Sequence, residues 1–71
     1  MRTQEQMIKA ALGYAGMSQA DLARALGLSR SNLNGRLLRG SLSEEELEQI
    51  AKVLGADFFP AQFVFPDGFT V

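Results

Sequence analysis

The sequence lacks the residue types that carry much of enzyme and metal chemistry. Among its 71 residues there is no cysteine and no histidine. The missing cysteine excludes disulfides and thiolate metal sites, and the missing histidine removes the commonest general base and metal ligand. Neither paired carboxylates nor a glycine-rich phosphate loop takes their place. We therefore expect no enzyme activity, no metal site and no cofactor.

Long apolar segments are missing as well. No run approaches transmembrane length, and no basic start followed by an apolar stretch resembles a signal peptide. Hydrophobic residues nevertheless make up 46% of the chain, which is more than a disordered composition contains. Length and composition together predict one small cytoplasmic domain that does not contact a membrane.

The charge is small in total but unevenly distributed. The net charge is −1, yet residues 18–40 carry +3 and residues 41–71 carry −5. The positive segment contains four arginines against one aspartate, a concentration that suits a polyanionic partner. An uneven but merely solvated surface would give the same pattern, and charge alone favours that simpler interpretation.

Four helices are predicted from their caps and their apolar spacing. Each begins after a residue that favours the N-cap position: Thr3, Ser18, Ser29 and Ser43. Apolar residues then recur at helical spacing, as with Leu33 and Leu37 in the third helix. Glycines are predicted to end the helices: Gly13 and Gly16 the first, then Gly27, Gly40 and Gly55.

The C-terminal residues change to a β-prone pattern. Two triplets, residues 63–65 and 69–71, flank the turn sequence Pro66-Asp67-Gly68. They predict a hairpin with a three-residue loop, in which Phe65 lies opposite Phe69 and Phe63 opposite Val71. Since so small a helical core would not easily cover both faces, we expect these four side chains to form a dimer interface. The alternative is a hairpin that folds back on its own helices in a monomer.

The second and third helices are joined by a very short connection, Gly27-Leu28-Ser29. A glycine-containing turn of this length sets two helices at a steep angle, as in a helix-turn-helix. Ala23 is small where the two helices would approach each other. The third helix would then project its polar face outward, where it could enter a major groove.

Residues 17–29 resemble the lambda-repressor-like, Cro-type helix-turn-helix regulators of the XRE family. Their sequence is Met-Ser-Gln-Ala-Asp-Leu-Ala-Arg-Ala-Leu-Gly-Leu-Ser. The opening Ser18 to Ala23, the turn glycine Gly27 and the apolar anchor Leu33 match the family pattern. The fourth helix, residues 44–54 followed by Gly55, resembles its closing helix, so that the resemblance spans residues 3–58.

The resemblance implies a mostly α fold, with four helices in a lambda-repressor-like helix-turn-helix domain. The added C-terminal β-hairpin is similar to the Cro-like subset, which is α+β and dimerises through its β structure. We expect a DNA-binding domain over residues 1–57, with the helix-turn-helix at about 18–38, and the hairpin over residues 58–71, all within one structural domain.

The third helix departs from the family pattern at two positions. Arg36 falls where many members have a second apolar anchor, so we expect Leu37 to take that role. Gly35 falls where many members carry a base-reading side chain, which leaves the DNA sequence that is bound open.

The polar face of the third helix supplies the candidate site residues. Arg30, Ser31 and Asn34 are the candidate base readers, because arginine can bind guanine and asparagine adenine in bidentate fashion. An ordinary polar helix face would carry similar residues. The candidate phosphate contacts, in part suggested by the resemblance, are Gln19, Ser29, Asn32, Arg36 and Arg39.

These features predict a sequence-specific double-stranded DNA-binding regulator that recognises a pseudo-palindromic operator as a homodimer. The resemblance favours a repressor of phage or mobile-element type, bound to a bacterial or phage nucleoid, with no small-molecule ligand. The alternative is a protein–protein adaptor or antitoxin-like module that keeps the fold without binding DNA; Gly35 and the net acidic balance favour it.

Overall fold

The computed structural model describes residues 3–59 and 61–71. It contains four helices followed by two short strands, and confirms the predicted mostly helical fold. The elements are α1 Gln4–Ala15, α2 Gln19–Leu26, α3 Arg30–Arg39, α4 Glu44–Leu54, β1 Asp57–Phe59 and β2 Gln62–Val64.

All four helices begin at the predicted N-caps and end at glycines. Thr3, Ser18 and Ser43 form reciprocal capping boxes, whereas Ser29 accepts a hydrogen bond from the Asn32 backbone without a returning bond. The C-caps are Gly16, Gly27, Gly40 and Gly55, all in the left-handed conformation. The prediction that Gly13 helps to end α1 is wrong, since α1 continues through it to Ala15.

The core is one apolar cluster to which every helix contributes. Helix α2 contacts α3 and α4, α1 contacts both of those helices, and β1 contacts α4. Leu22, Leu33 and Leu37 are at most 1% exposed. The predicted replacement of Arg36 by Leu37 as the second anchor of α3 is therefore confirmed, and the burial of these leucines fixes α3 against the other helices.

The C-terminal strands form two successive hairpins, where the sequence predicted one. The missed hairpin pairs β1 with β2 in antiparallel register, with Phe58 opposite Phe63. The predicted hairpin is also present, because residues 63 and 71 exchange backbone hydrogen bonds of 2.7 and 3.0 Å and Phe65 N–H donates to Phe69 O over 2.8 Å. The predicted register is thus confirmed, and β2 is paired along both edges.

The second hairpin folds back on the helices of its own chain. Phe63 is fully buried, and Phe65 and Val71 are 5% and 9% exposed within the single chain. Three of the four side chains expected at a dimer interface therefore complete the core of the monomer. Phe69 is different, because it remains 39% exposed.

Candidate nucleic-acid interface

The connection between α2 and α3 is a tight left-handed turn that positions α3. Gly27 has φ 73°, a conformation that costs a residue with a Cβ atom about 1–2 kcal/mol. Leu28 N–H donates to Ala23 O over 2.8 Å, which closes the end of α2 two residues before α3 begins. Because Ala23 and Leu33 are buried on the inner sides of the two helices, the polar side of α3 is left at the surface.

Four predicted contact residues come together around one shallow surface cleft. Gln19, at the start of α2, lines it with Arg30, Ser31 and Asn34 of α3. The α3 side chains are exposed, and Gln19 is half-buried. The structure therefore joins the candidate phosphate-contacting glutamine to all three candidate base readers on a single surface.

Ser29 and Asn32, two further phosphate candidates, are already engaged in hydrogen bonds at the start of α3. The Ser29 hydroxyl accepts from Asn32 N–H over 3.1 Å, and Asn32 Oδ1 accepts from Arg36 Nε over 3.2 Å. A hydroxyl that accepts one hydrogen bond can still donate its own proton, and the Asn32 amide nitrogen carries two donors. Both side chains are exposed and retain donors for a phosphate oxygen.

Arg36 differs from the other arginines of α3 because it is directed toward α4. Its guanidinium forms an ion pair with the Glu46 carboxylate, and the two side chains are 35% and 33% exposed. A phosphate would have to compete with this carboxylate for the cation. The structure thus gives Arg36 a role between two helices that its assignment as a phosphate contact did not include.

Arg39 lies in the last turn of α3 and is exposed. Its Nη1 atom is 3.3 Å from the position that a Cβ atom on Gly35 would occupy. The guanidinium therefore extends back along the helix over the glycine. Within residues 3–59 and 61–71, neither Arg30 nor Arg39 forms an ion pair, so both cations remain accessible to a polyanion.

The charges at the helix ends are stabilised by local contacts. Hydrogen bonds from the Ser18 backbone N–H and hydroxyl lower the pKa of Asp21, and the nearby Arg24 cation adds to the effect. In the same way, the Ser43 backbone N–H, then its hydroxyl, and the Arg36 cation lower the pKa of Glu46. Both carboxylates are thus held in their charged form at the start of α2 and α4.

Sequence reasoning missed one residue on this surface. Leu38 is 65% exposed on α3, next to the buried Leu37. The spacing of Leu33 and Leu37 could have revealed it, because a helix whose buried face contains those two residues directs the next position outward.

The part of the chain that the structure describes offers no group of three or more side chains suited to a metal ion. Likewise, none of the helices within residues 3–59 and 61–71 has both the length and the apolar character needed to span a bilayer.

A tight turn between two helices, the second of which carries an exposed polar face, defines the helix-turn-helix class of DNA-binding proteins. Residues 8–59 match the model of a helix-turn-helix family that comprises the XRE-type regulators, and this match covers more than half of the chain. The chain therefore belongs to the XRE-type helix-turn-helix family of DNA-binding transcription regulators. No curated protein and no solved structure matched it.

Proposed function

We propose that this protein recognises a specific double-stranded DNA sequence through α3 and acts as a repressor. The observation that supports this proposal best is the shared cleft of Gln19, Arg30, Ser31 and Asn34. The repressor role is what the resemblance of residues 17–29 to the lambda-repressor-like regulators implies.

The positions of these four side chains suit two kinds of DNA contact, with bases for the three residues of α3 and with a phosphate for Gln19. Arg30 and Ser31 lie in the first turn of α3, and the N-terminal part of a recognition helix is the part that reaches base edges. Asn34 follows one turn later on the same side of the helix. Gln19 lies in the first turn of α2, where a side-chain amide and the positive end of the helix dipole both favour a phosphate.

We also propose that the protein binds as a homodimer, with Phe69 at the interface. Phe69 stacks on Tyr14 with ring centroids 4.0 Å apart and an interplanar angle of 4°, and both rings remain more than one third exposed. Covering such a pair with a second copy would remove apolar surface from water. Two copies related by a twofold axis would present two α3 helices to successive major grooves about 34 Å apart, which makes the operator a pseudo-palindrome.

Selection of bound sequences from a random DNA pool tests the proposal for DNA recognition. We expect an enriched pseudo-palindromic sequence whose affinity exceeds that for scrambled DNA and falls steeply as salt rises. Binding that is absent at low salt would contradict the proposal and favour the adaptor function.

Sedimentation tests the dimer separately. The Phe69→Ser variant should sediment as a monomer. Phe59→Ser is the matched control, because Phe59 is also an exposed phenylalanine, at 56%, but lies in β1. A wild-type monomer at tens of micromolar that keeps its fold would contradict the dimer.

A further inference from the structure

Leu38 is the most exposed large hydrophobic side chain in the described part of the chain, at 65%. A single exposed leucine is common on proteins and by itself indicates nothing. This one is not needed for the core, because the neighbouring Leu37 fills that position at 1% exposure. Its position on α3, the candidate recognition helix, is the reason to consider a function for it.

Leu38 lies on the same side of α3 as the candidate base readers. It follows Asn34 by four residues and Ser31 by seven, spacings that place side chains above one another on a helix. Side chains of a helix lean toward its N-terminus, so Leu38 covers the turn that contains Asn34 and Gly35. The polar surface of α3 therefore contains one apolar side chain, which starts in the last turn and leans back toward Asn34.

Gly35 has no side chain, so it leaves a depression in the surface of α3 beside Leu38. Among the described residues, the atoms that a Cβ atom at this position would meet within 4 Å belong to the flexible end of the Arg39 side chain. Where a glycine replaces a side chain, a helix backbone can approach a ligand more closely. If the Arg39 guanidinium turns away to bind a phosphate, a DNA base edge can approach Gly35 and come within reach of the Leu38 methyl groups.

The chemistry of the major groove determines what an apolar side chain can recognise there. Base edges present hydrogen-bond donors, acceptors and one apolar group, the C5 methyl of thymine. A leucine forms no hydrogen bond with the donors or acceptors, but it can remove a methyl group from water. We propose that Leu38 is a specificity-determining residue that reads a thymine through its methyl group. This inference rests on the proposed function.

Replacement of thymine by deoxyuridine tests the inference, because it removes the methyl group and keeps the base pair. On the selected DNA site, each thymine is replaced in turn. We expect one position in each half-site at which the wild-type protein binds about three- to fivefold more weakly, the effect of about one buried methyl group. Leu38→Ala should bind thymine and deoxyuridine equally at that position.

Two control variants make the result specific. Leu38→Met keeps an apolar side chain of similar reach and should retain the preference for thymine. Asn34→Ala should lower affinity but also retain that preference, since it removes a hydrogen-bonding group. Because Leu38 is exposed, its alanine variant should melt at the wild-type temperature, which separates a loss of contact from a loss of fold.

Other results would overturn the inference. They include wild-type binding that is indifferent to every replacement, and a Leu38→Ala variant that still prefers thymine. Self-association that depends on Leu38, without a thymine preference, would identify a contact between two copies of the chain. A wild-type protein that binds no DNA at low salt would contradict the proposed function itself, and so differs from a failure of Leu38 alone.

Discussion

The Arg36 guanidinium on α3 forms an ion pair with the Glu46 carboxylate on α4, and it donates a hydrogen bond to Asn32 Oδ1 over 3.2 Å. The same glutamate accepts a hydrogen bond from the Ser43 backbone over 3.0 Å as part of the α4 capping box. Arg36 thus connects the middle of α3 with the beginning of the next helix. Arg39, three residues later, makes no ion pair within the described residues.

This difference predicts separate effects for the two arginines. Arg36→Ala should lower the free energy of unfolding by about 0.5–1 kcal/mol, the range of a partly exposed ion pair. Arg39→Ala should leave stability within about 0.5 kcal/mol but weaken binding to all DNA sequences and reduce the salt dependence by about one unit. Urea denaturation and binding at several salt concentrations measure both. An equal reduction of the salt dependence by Arg36→Ala would show that Arg36 contacts phosphate despite Glu46.

Arg30→Ala should affect the choice of sequence as well as affinity. The loss of a bidentate contact with guanine should cost about 1–3 kcal/mol on the selected site and relax the preference at one base pair. Lys52→Ala is the matched control, because it removes a positive charge from the last turn of α4. Binding to the selected site and to scrambled DNA is compared. If Arg30→Ala changes neither affinity nor base preference, α3 does not read DNA as proposed.

Gly35→Ala should change stability and DNA affinity in opposite directions. Alanine stabilises a helix interior by about 0.5–1 kcal/mol relative to glycine, and the only atoms that its Cβ would crowd belong to the flexible end of Arg39. The added methyl group should at the same time displace that guanidinium and obstruct the approach of DNA. We expect a higher melting temperature with weaker binding to the selected site. A variant that is more stable and binds equally well would show that the depression at Gly35 is not used.

Stability should decrease in acid because two capping carboxylates have lowered pKa values in the folded state. A carboxylate with a lowered folded pKa contributes stability above its unfolded pKa, and that contribution is lost as the pH falls through the folded value. The free energy of unfolding should therefore begin to fall as the pH approaches the ordinary pKa of glutamate for Glu46 and that of aspartate for Asp21, and it should continue to fall at lower pH. Denaturation from pH 7 to pH 3 measures the decline.

Glu46→Gln tests the origin of that decline. Glutamine can still accept the Ser43 hydrogen bond in the capping box, but it has no charge that titrates, so the decline should become shallower. Glu48→Gln is the matched comparison, because it removes the same charge from the same helix outside the capping box. Identical pH profiles for the two variants would exclude Glu46 as a source.

Much of the helical part of the fold could be predicted from short-range sequence patterns. The four N-caps and the glycines that end the helices act within a few residues of themselves, so the sequence alone located α2 and α3. The register of the second hairpin was predictable for the same reason, because Pro66-Asp67-Gly68 favours one turn and Asp67 Oδ1 accepts from Phe69 N–H over 3.0 Å.

The first hairpin could not be predicted because its turn lacks the usual residue. Ala61 has φ 73°, a conformation that normally favours glycine or asparagine. The sequence between Phe59 and Gln62 contains one turn-forming residue, Pro60, but no glycine or asparagine that would mark a left-handed position. The pairing of β1 with β2 and the packing of Phe63 into the core hold this turn in place, and neither is a local property.

The sequence by itself determined that this chain forms a helix-turn-helix with a polar third helix, because caps, glycines and helical spacing act through neighbouring residues. Only the tertiary structure decided which side chains that helix leaves exposed and which ones pack against other elements. It buried Phe63, Phe65 and Val71 within the monomer, paired Arg36 with Glu46, and left Leu38 in solvent. The physical reason is that burial and ion pairing depend on residues distant in the sequence, which come together only when the helices and the sheet pack around one core.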